Sequence, residues 1–358
     1  MKQILFLILY ILLPGMELKS QDWYSIDDYA TVPKMDVHIH INTERPDFVK
    51  KAIADNFRLI NVSLEYNNGW EDVYRKYKYG LHQHRKFPET VEMVTAFAVS
   101  DWDDPQWEEK VINWLDSCFD QGTLGVKVWK NIGMVSRDKD GKLIRIDDPK
   151  FDPIFQYIKD RGKTLMGHLG EPKNCWLPLD SMTTNNDRKY FSEHPEYHMY
   201  LHPEMPSYQD QIDARDRMLE RNPGMTFVGA HLGSLEWSVD ELATRLDKFP
   251  NMAVDLAARM GQVFYQTAEN REKVRDFFIK YQDRILYGTD LADHENSTPE
   301  QLIQDMGEPW KRDWRYFVTD EVMESDLINS SFRGLKLPAD VVDKIFYDNA
   351  IRWFGIEE

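Results

Sequence analysis

Histidine and aspartate side chains stand in four short motifs, each at the end of an apolar, strand-like run. The motifs are Asp36-Val37-His38-Ile39-His40, Gly167-His168-Leu169-Gly170, Ala230-His231-Leu232-Gly233 and Gly288-Thr289-Asp290. Neutral imidazole suits zinc, iron, nickel or manganese, and a carboxylate beside a metal ion can take up a proton. The motifs are far apart in the chain, so they predict one metal site if the fold gathers these strand ends.

The first motif can supply two ligands from a single strand. Alternate side chains of a strand face the same way. Asp36, His38 and His40 are therefore predicted on one face, and Val37 and Ile39 on the other. Two histidines in a row of this kind also occur as hydrogen-bonded core residues. The metal prediction therefore depends on the other three motifs as well.

Eight apolar runs of strand length would position these residues. They alternate with segments of helical spacing, such as 107–119 and 239–249, and they cover residues 34–41, 58–66, 91–99, 124–130, 163–169, 225–232, 251–257 and 284–290. This alternation predicts an α/β fold, a (β/α)8 TIM barrel forming a single domain over residues 21–358. An open doubly wound sheet is the alternative, but no glycine-rich turn follows the first strand.

A long segment, residues 171–210, follows the fifth strand. It contains Trp176 and many tyrosines and histidines. We expect a loop insertion over the barrel mouth that acts as a lid or specificity loop, with Trp176 shaping the substrate pocket. A surface loop or a subunit contact in a homo-oligomer is the alternative.

Composition limits the classes of partner. The chain has 358 residues, 42% of them hydrophobic, and a formal net charge of -17. Such an acidic chain argues against nucleic acid and is compatible with a small-molecule substrate. Its two cysteines, Cys118 and Cys175, exclude a disulfide framework. Whether they pair stays open, and buried free thiols are favoured.

The N-terminus has the pattern of a targeting segment. Lys2 precedes an apolar run over residues 4–13, and a polar stretch leads to Ser20. This order predicts a secretory signal peptide over residues 1–20 and export to the bacterial periplasm or the cell exterior. The run is too short to span a bilayer, so no stable membrane insertion is expected after cleavage. An uncleaved anchor is the alternative.

Together the motifs resemble the amidohydrolase superfamily. Within it, the chain is similar to the amidohydrolase-related (amidohydrolase 2) group of metal-dependent barrel hydrolases, which includes some non-oxidative decarboxylases. Besides the four motifs, Tyr287 before Gly288 and the stretch 344–355, similar to the last helix of that group, carry the resemblance. The resemblance covers about residues 34–355 and is specific for the superfamily rather than for one reaction.

The resemblance implies a role for each motif residue. His38 and His40 resemble the metal ligands of the first strand, and His168 resembles the ligand of the fifth. Asp290 resembles the acid of the eighth strand, which binds metal and takes a proton from water. His231 is either a further ligand or an acid that polarises the substrate. Zinc is the favoured ion, as one or two per site, and manganese, iron and nickel remain open.

The fourth strand bears on the number of metal ions. In binuclear members of the superfamily a lysine of this strand is carbamylated and bridges two ions, and Lys127 is similar to it. Single-metal members use a lysine here for substrate binding or structure, so both interpretations stay open. Lys130, Glu171 and Arg259 are further candidates for substrate binding. Glu65 and Asn67, at the end of the second strand, are expected to orient ligands or substrate.

Three functions are compatible with these residues. The first is a metal-dependent hydrolase that cleaves a C–N or C–O bond, such as an amide or lactone, through metal-activated water. The second is a metal-dependent decarboxylase of an aromatic or unsaturated acid, in which Asp290 or His231 handles protons. The third is a non-catalytic scaffold protein, which intact metal ligands disfavour.

Overall fold

Parallel strands that follow one another around a curled sheet form the frame of the fold. The computed structural model describes residues 22–66, 69–294 and 296–357, so the signal peptide predicted over 1–20 lies outside the described residues. In this part of the chain the main sheet has nine strands. They are β1 (Lys34–Ile41), β2 (Phe57–Val62), β3 (Val91–Ala96), β4 (Gly125–Val128), β5 (Thr164–Gly167), β6 (Phe227–Gly229), β7 (Met252–Asp255), β8 (Ile285–Leu286) and β9 (Leu291–Asp293). Each of the eight predicted runs overlaps one of the strands β1 to β8, and β9 follows directly.

The segment from β8 to β9 connects the two ends of the strand order. β8 pairs in parallel with β7, and β9 pairs in parallel with β1. Between them, Val37 N donates to Tyr287 O at 3.0 Å and Asp290 N donates to His38 O at 2.7 Å. The sheet is therefore curled so that its last segment meets its first strand, which is consistent with the predicted TIM barrel.

Helices separate the strands. They are α1 (Asp47–Ala54), α2 (Trp70–Lys86), α3 (Trp107–Phe119), α4 (Asn131–Met134), α5 (Asp152–Asp160), α6 (Asn185–Glu193), α7 (Tyr208–Arg221), α8 (Ala230–Gly233), α9 (Val239–Lys248), α10 (Met260–Lys280), α11 (Pro299–Val318), α12 (Ala339–Asp343) and α13 (Asn349–Phe354). A π-helical turn (Lys344–Asp348) joins α12 to α13, and a small hairpin pairs β10 (Val322–Met323) with β11 (Phe332–Arg333). Short 3-10 helices span Ile26–Ala30, Pro149–Phe151 and Gln282–Arg284. The helices predicted at 107–119 and 239–249 coincide with α3 and, within one residue, α9.

Two apolar layers hold this frame together. The inner layer takes side chains from seven strands, β1 to β3 and β5 to β8, and packs against the last helix. Its members include Met35, Val37, Ile60, Val62, Val94, Met166, Val228, Ala253, Leu286, Trp353 and Phe354. Thr164 Oγ1, at the start of β5, donates to Trp353 O, so α13 covers the N-terminal ends of the strands. The opposite, C-terminal ends are left for polar residues. Among the described residues, no helix has both the length and the apolarity needed to cross a membrane.

The face predicted for Asp36 is wrong. The register of β1 against β2 shifts between Asp36 and Ile39, which is a β-bulge. Val37 belongs to the inner layer and Ile39 to the outer one, although a regular strand would put both on one face. Asp36 turns away from the histidines and accepts hydrogen bonds from Trp310 Nε1 at 2.9 Å and Thr289 Oγ1 at 2.6 Å. A bulge adds a residue and restarts the alternation.

The segment between β5 and α7 is folded. It contains α6 and 3-10 helices at Lys173–Trp176, Leu179–Ser181, Pro195–Tyr197 and Met199–Leu201. A small apolar cluster of its own includes Cys175, Met182, Phe191 and Met199. Cys175 is free and buried there, and Cys118 is free and buried on α3. The two thiols are therefore unpaired, as favoured above.

Candidate metal centre

Two strand ends bring imidazole nitrogens and a carboxylate oxygen together. Asp290 Oδ1 lies 3.1 Å from His40 Nε2 and 3.5 Å from His38 Nε2. The three ligand atoms lie within 4.8 Å of one another. His38 is buried, whereas His40 and Asp290 are partly open to a cavity. One cation is small enough to contact all three atoms.

The histidine rings are oriented through their second nitrogens. His38 Nδ1 lies 2.9 Å from Asp255 Oδ2, and His40 Nδ1 lies 2.7 Å from Val62 O. His231 Nδ1 lies 2.8 Å from the carbonyl oxygen of the loop after β7. A carbonyl only accepts hydrogen bonds, so Nδ1 carries the proton and Nε2 keeps its lone pair. This is the arrangement that second-shell contacts give to metal-binding histidines.

His168 contributes a buried nitrogen that has no hydrogen-bond partner. Its Nε2 is fully enclosed, and the Glu171 carboxylate, 3.8 Å away, lies beyond hydrogen-bond distance. The rings of His168 and His231 are 4.1 Å apart between centroids. An orphaned polar atom of this kind is unfavourable unless it binds a ligand. Together with the histidine and carboxylate donors, it fits the divalent ion that the fold implies.

Burial controls the protonation of these groups. It lowers the pKa of His168 to about 3 and the pKa values of His38 and His231 below the usual range. Burial alone would raise the pKa of Asp290, but the His38 and His40 imidazoles hold it well below its usual range. Neutral imidazoles and an ionised carboxylate are the forms that coordinate metal.

Lys127 reaches the same place from β4. Its Nζ lies 3.1 Å from His38 Nε2. Burial lowers the pKa of Lys127 to about 8, and the carboxylates of Asp255 and Asp290 act against this shift. Lys127, whose carbamylation would allow two metal ions instead of one, therefore lies beside the ligand cluster.

Left-handed backbone directs two of the side chains. His231 has a φ of 60° and is followed by Leu232 and Ser234 with φ near it, at 57° and 56°, while Asp290 has a φ of 68°. Such conformations cost roughly 1–2 kcal/mol for each residue other than glycine. Hydrogen bonds from His231 N to Asp255 Oδ1, at 2.7 Å, and from Asp290 N to the β1 backbone hold them. Strain that is held in this way is common at functional sites.

Lys130 and Glu171 form a buried ion pair at the edge of the cavity. Lys130 lines the cavity, and its ammonium donates to Glu171 Oε1. Burial alone would raise the pKa of Glu171, but Lys130 lowers it below its usual range. Glu171 is thus ionised and engaged by the lysine.

The other two predicted substrate contacts lie outside the cavity wall. Arg259 is buried after β7, with Nη1 donating to Ala258 O at 3.0 Å and Nε without a partner. The ring centroids of Trp176 and Tyr208 lie 5.6 Å apart, and Trp176 Nε1 donates a hydrogen bond to Pro206 O within the folded insertion. Neither is among the described residues that line the cavity.

The cavity over the ligand cluster has a volume of about 670 Å³ and a wall that sequence reasoning missed. This wall comprises Asn42, Leu64, Tyr66, Asp72, Arg75, Lys76, Tyr79, Trp129, Ala292, His294 and Asn296. The α2 members Asp72, Arg75, Lys76 and Tyr79 share the spacing i, i+3, i+4, i+7, which defines one helical face. The signal in the sequence that could have identified these wall residues is a polar stripe of helical spacing soon after strand β2.

Glu65 is hydrogen-bonded to two neighbouring loops. Its Oε2 accepts hydrogen bonds from Val99 N at 3.1 Å and Asn131 Nδ2 at 2.7 Å. These contacts connect the loops that follow β2, β3 and β4. Asn67, predicted alongside it, lies outside the described residues.

The curled parallel sheet with histidines and an aspartate at its strand ends defines an α/β protein with a candidate metal centre. The chain belongs to the amidohydrolase family, whose model matches residues 87–356. The predicted resemblance is thereby confirmed. A search of curated proteins finds no significant match.

Solved structures of the same fold include members of this superfamily. One is a 2,6-dihydroxybenzoate decarboxylase from Rhizobium, with 14% identity, a TM-score of 0.51 and coverage of 90% of this chain and 99% of that chain. A 2,6-dihydroxybenzoate decarboxylase bound to 2,6-dihydroxybenzoate has 16% identity, a TM-score of 0.52 and coverage of 91% and 100%. An amidohydrolase II has 16% identity, a TM-score of 0.51 and coverage of 90% and 100%. At these identities the likeness concerns the fold.

Proposed function

We propose that this protein is a metal-dependent hydrolase built on a closed (β/α)8 barrel. Its reaction is the cleavage of a C–N or C–O bond, amide-like or lactone-like, in a small molecule. The observation that carries the proposal is the group of His38, His40 and Asp290 ligand atoms within 4.8 Å of one another, together with the unpartnered Nε2 of His168. The N-terminal pattern supports a site of action in the periplasm or outside the cell.

The residues that would hold a divalent ion are His38, His40 and Asp290, with His168 and His231 facing the same space. Zinc is our first assignment because borderline imidazole ligands with one carboxylate suit it, ahead of manganese, iron and nickel. A bound divalent ion supplies Lewis acidity and lowers the pKa of a water molecule.

Asp290 is the proton acceptor in this proposal. Its carboxylate is ionised and its side chain is 32% exposed, so a water molecule can reach it from the cavity. Proton transfer to a positioned carboxylate contributes about 10²- to 10⁴-fold to a rate. A divalent ion bound beside it would favour this ionised form.

The Nε2 atom of His231 is placed to bind a metal ion through its lone pair rather than to donate a proton. The Nδ1–H group donates a hydrogen bond to the carbonyl oxygen of Ala257, and burial lowers the pKa of His231 well below the usual value. Its Nε2 therefore carries a lone pair, which suits a metal ligand and does not suit an acid that polarises a carbonyl. We assign His231 the ligand role on these grounds.

In this proposal the Lys130 ammonium group stabilises the negative charge that develops on the substrate oxygen. Burial alone would lower its pKa, but Glu171 raises it, so the ammonium stays protonated at the cavity edge. A fixed positive charge in a partly enclosed site stabilises an oxyanion more strongly than it would in water.

Decarboxylation of an aromatic acid is the second candidate. The aromatic rings of Tyr66 and Trp129, 5.0 Å apart in the cavity wall, favour it because they can contact a planar substrate. The wall also carries cationic groups, which suit a carboxylate. In that reaction Asp290 would first take a proton from a water molecule and then pass it to the carbon that loses CO2.

Assay of metal-loaded protein on a panel of lactones, amides and aromatic carboxylates separates the two reactions. A hydrolase releases an acid with an amine or alcohol and no CO2, and Asp290→Asn should lower turnover at least about 100-fold while bound metal is still detected. Asp240→Asn, on the exposed face of α9, is the matched control that should keep full activity. Stoichiometric release of CO2 from a carboxylate would overturn the hydrolase proposal, and a protein that binds no metal would overturn both.

A further inference from the structure

Lys76 is a cation of the cavity wall that has no carboxylate partner among the described residues. Lys76, on the second turn of α2, is half-buried, and its Nζ lies 5.4 Å from the centroid of the Tyr66 ring. In the part of the chain that the structure describes, no carboxylate lies within 4.0 Å of this ammonium group. Two other cations of the wall are paired, because Arg75 forms an ion pair with Asp72 at 2.7 Å and Lys130 forms one with an acid of the insertion.

The environment of Lys76 disfavours an isolated positive charge. Burial lowers the pKa of Lys76, and the more distant Asp72 only partly offsets this. The Tyr66 ring contributes a cation–π contact of about 0.5–1 kcal/mol. That is a weak substitute for a counter-ion at a partly desolvated ammonium. An anion that enters the cavity would therefore be stabilised by binding next to the Lys76 ammonium group.

The surface beside Lys76 is aromatic. The Tyr66 and Trp129 rings lie 5.0 Å apart at an angle of 39°. Both line the cavity, and Lys130 Nζ lies 5.4 Å from the Trp129 ring. Aromatic faces next to a cation suit a planar body that carries a negative group.

We propose that this wall recognises a second, anionic group of the substrate, a carboxylate paired with Lys76. The planar body of the substrate contacts Tyr66 and Trp129, and the reacting group lies at the histidine cluster. The inference rests on the proposed function because it takes the bond that reacts to lie at the candidate metal centre. The substrate class is thereby a planar acid whose carboxylate is remote from the reacting bond.

Lys78 provides a matched control on the same helix. It is exposed and borders a separate groove lined by Glu44, His82 and Arg85. Lys76→Met and Lys78→Met remove the same charge from the same helix and change overall charge equally. A difference between the two variants therefore reports the position of the charge.

The test is calorimetric titration of metal-loaded protein with isophthalate and with its neutral analogue isophthalamide. We expect Lys76→Met to weaken isophthalate binding about tenfold, to leave isophthalamide binding unchanged, and Lys78→Met to change neither. Equal effects of the two substitutions, equal loss for both ligands, or absence of isophthalate binding would overturn the proposal.

The same titration distinguishes this inference from the proposed function. Binding is measured without turnover, so the dependence on Lys76 can persist in a metal-loaded protein that fails the hydrolysis assay. In that case the proposed function falls and the anion subsite stands. Conversely, an active metalloenzyme in which Lys76→Met and Lys78→Met behave alike retains the proposed function and loses the subsite.

Discussion

Asp255 Oδ2 lies 2.9 Å from His38 Nδ1, and this contact joins β7 to β1 next to the candidate metal centre. The other oxygen, Oδ1, accepts hydrogen bonds from His231 N at 2.7 Å and Ala257 N at 3.1 Å. Burial alone would raise the pKa of Asp255, but His38 holds it below its usual value. One ionised carboxylate therefore orients the ring of one candidate ligand and the backbone of another.

Replacing Asp255 with asparagine should weaken metal binding about 10- to 100-fold. The carboxylate accepts from three N–H groups, whereas an amide has one oxygen and a donating NH2 group. The NH2 group must then face either His38 Nδ1–H or the two backbone N–H groups. Competition against a chelating indicator measures the change in affinity.

A control variant separates this effect from the loss of a buried carboxylate in general. Asp313 is buried on α11 and accepts a hydrogen bond from Tyr287 at 3.1 Å and from Arg312. Asp313→Asn should lower stability and leave metal affinity within about twofold of the wild type. If Asp255→Asn binds metal as tightly as Asp313→Asn, the orienting role of Asp255 is wrong.

If Lys127 is carbamylated and bridges two ions, Lys127→Met should reduce the metal content from two ions per chain to one. We expect the Lys127 amine to add to CO2, forming an N–C bond with loss of a proton, and the resulting carbamate to supply two oxygens. The position of Nζ, 3.1 Å from His38 Nε2, allows those oxygens to face the ligand cluster. Elemental analysis after incubation with bicarbonate counts the ions, and labelled bicarbonate reports the carbamate.

Lys130→Met serves as the control for the metal count. Lys130 lies at the cavity edge and is paired with Glu171, so its loss should leave two ions in place. One ion per chain in both the wild type and Lys127→Met would contradict the bridging role. A lysine that only packs beside His38 would give that result.

The strand ends were predictable because buried parallel strands are continuous apolar runs. Each of His38, His168, His231 and Asp290 follows or ends such a run, so the sequence predicts their meeting point. The bulge in β1 was not predictable, since a register shift depends on the pairing partner. Asp36 shows this, because its contacts with Trp310 and Thr289 in the folded chain reveal which way it faces.

The cavity wall was harder to predict than the ligand cluster. Lys76 stands on a helix whose polar face would ordinarily meet solvent, and only the curvature of the fold turns it toward the site. Trp176 shows the converse, because an aromatic residue near the mouth was expected in the pocket. Instead the insertion has an apolar cluster of its own, with Trp176 packed against it.

Glu236→Gln should stabilise the protein at alkaline pH. Glu236 is 1% exposed, its Oε1 accepts from Lys173 N at 2.8 Å, and its Oε2 has no partner. Burial raises its pKa to about 7 from 4.5, with Arg259 acting against the shift. Between these values the native state holds a proton that the unfolded state has lost, so stability falls as the pH rises through this window.

Urea unfolding at pH 5 and pH 8 measures this linkage. Glutamine removes the penalty, so the variant should exceed the wild type by about 2 kcal/mol at pH 8 and match it near pH 5. Glu220→Gln, an exposed residue paired with Lys248, should change stability by less than about 0.5 kcal/mol at either pH. A gain for Glu236→Gln that is the same at both pH values would contradict the assignment.

Trp353→Ala should destabilise the fold without changing the metal centre. Trp353 is 7% exposed, packs into the inner layer at the N-terminal ends of the strands, and donates through Nε1 to Asp283 O at 2.8 Å. Loss of the ring leaves a cavity and an unsatisfied carbonyl, with an expected cost of about 3–5 kcal/mol in the free energy of unfolding. Trp353→Phe keeps most of the packing and loses the hydrogen bond, so about 1 kcal/mol is expected. Both variants should bind metal with wild-type affinity, because in this architecture the stabilising residues and the functional residues lie at opposite ends of the strands. A tenfold loss of metal affinity in Trp353→Phe would show that the two ends are coupled.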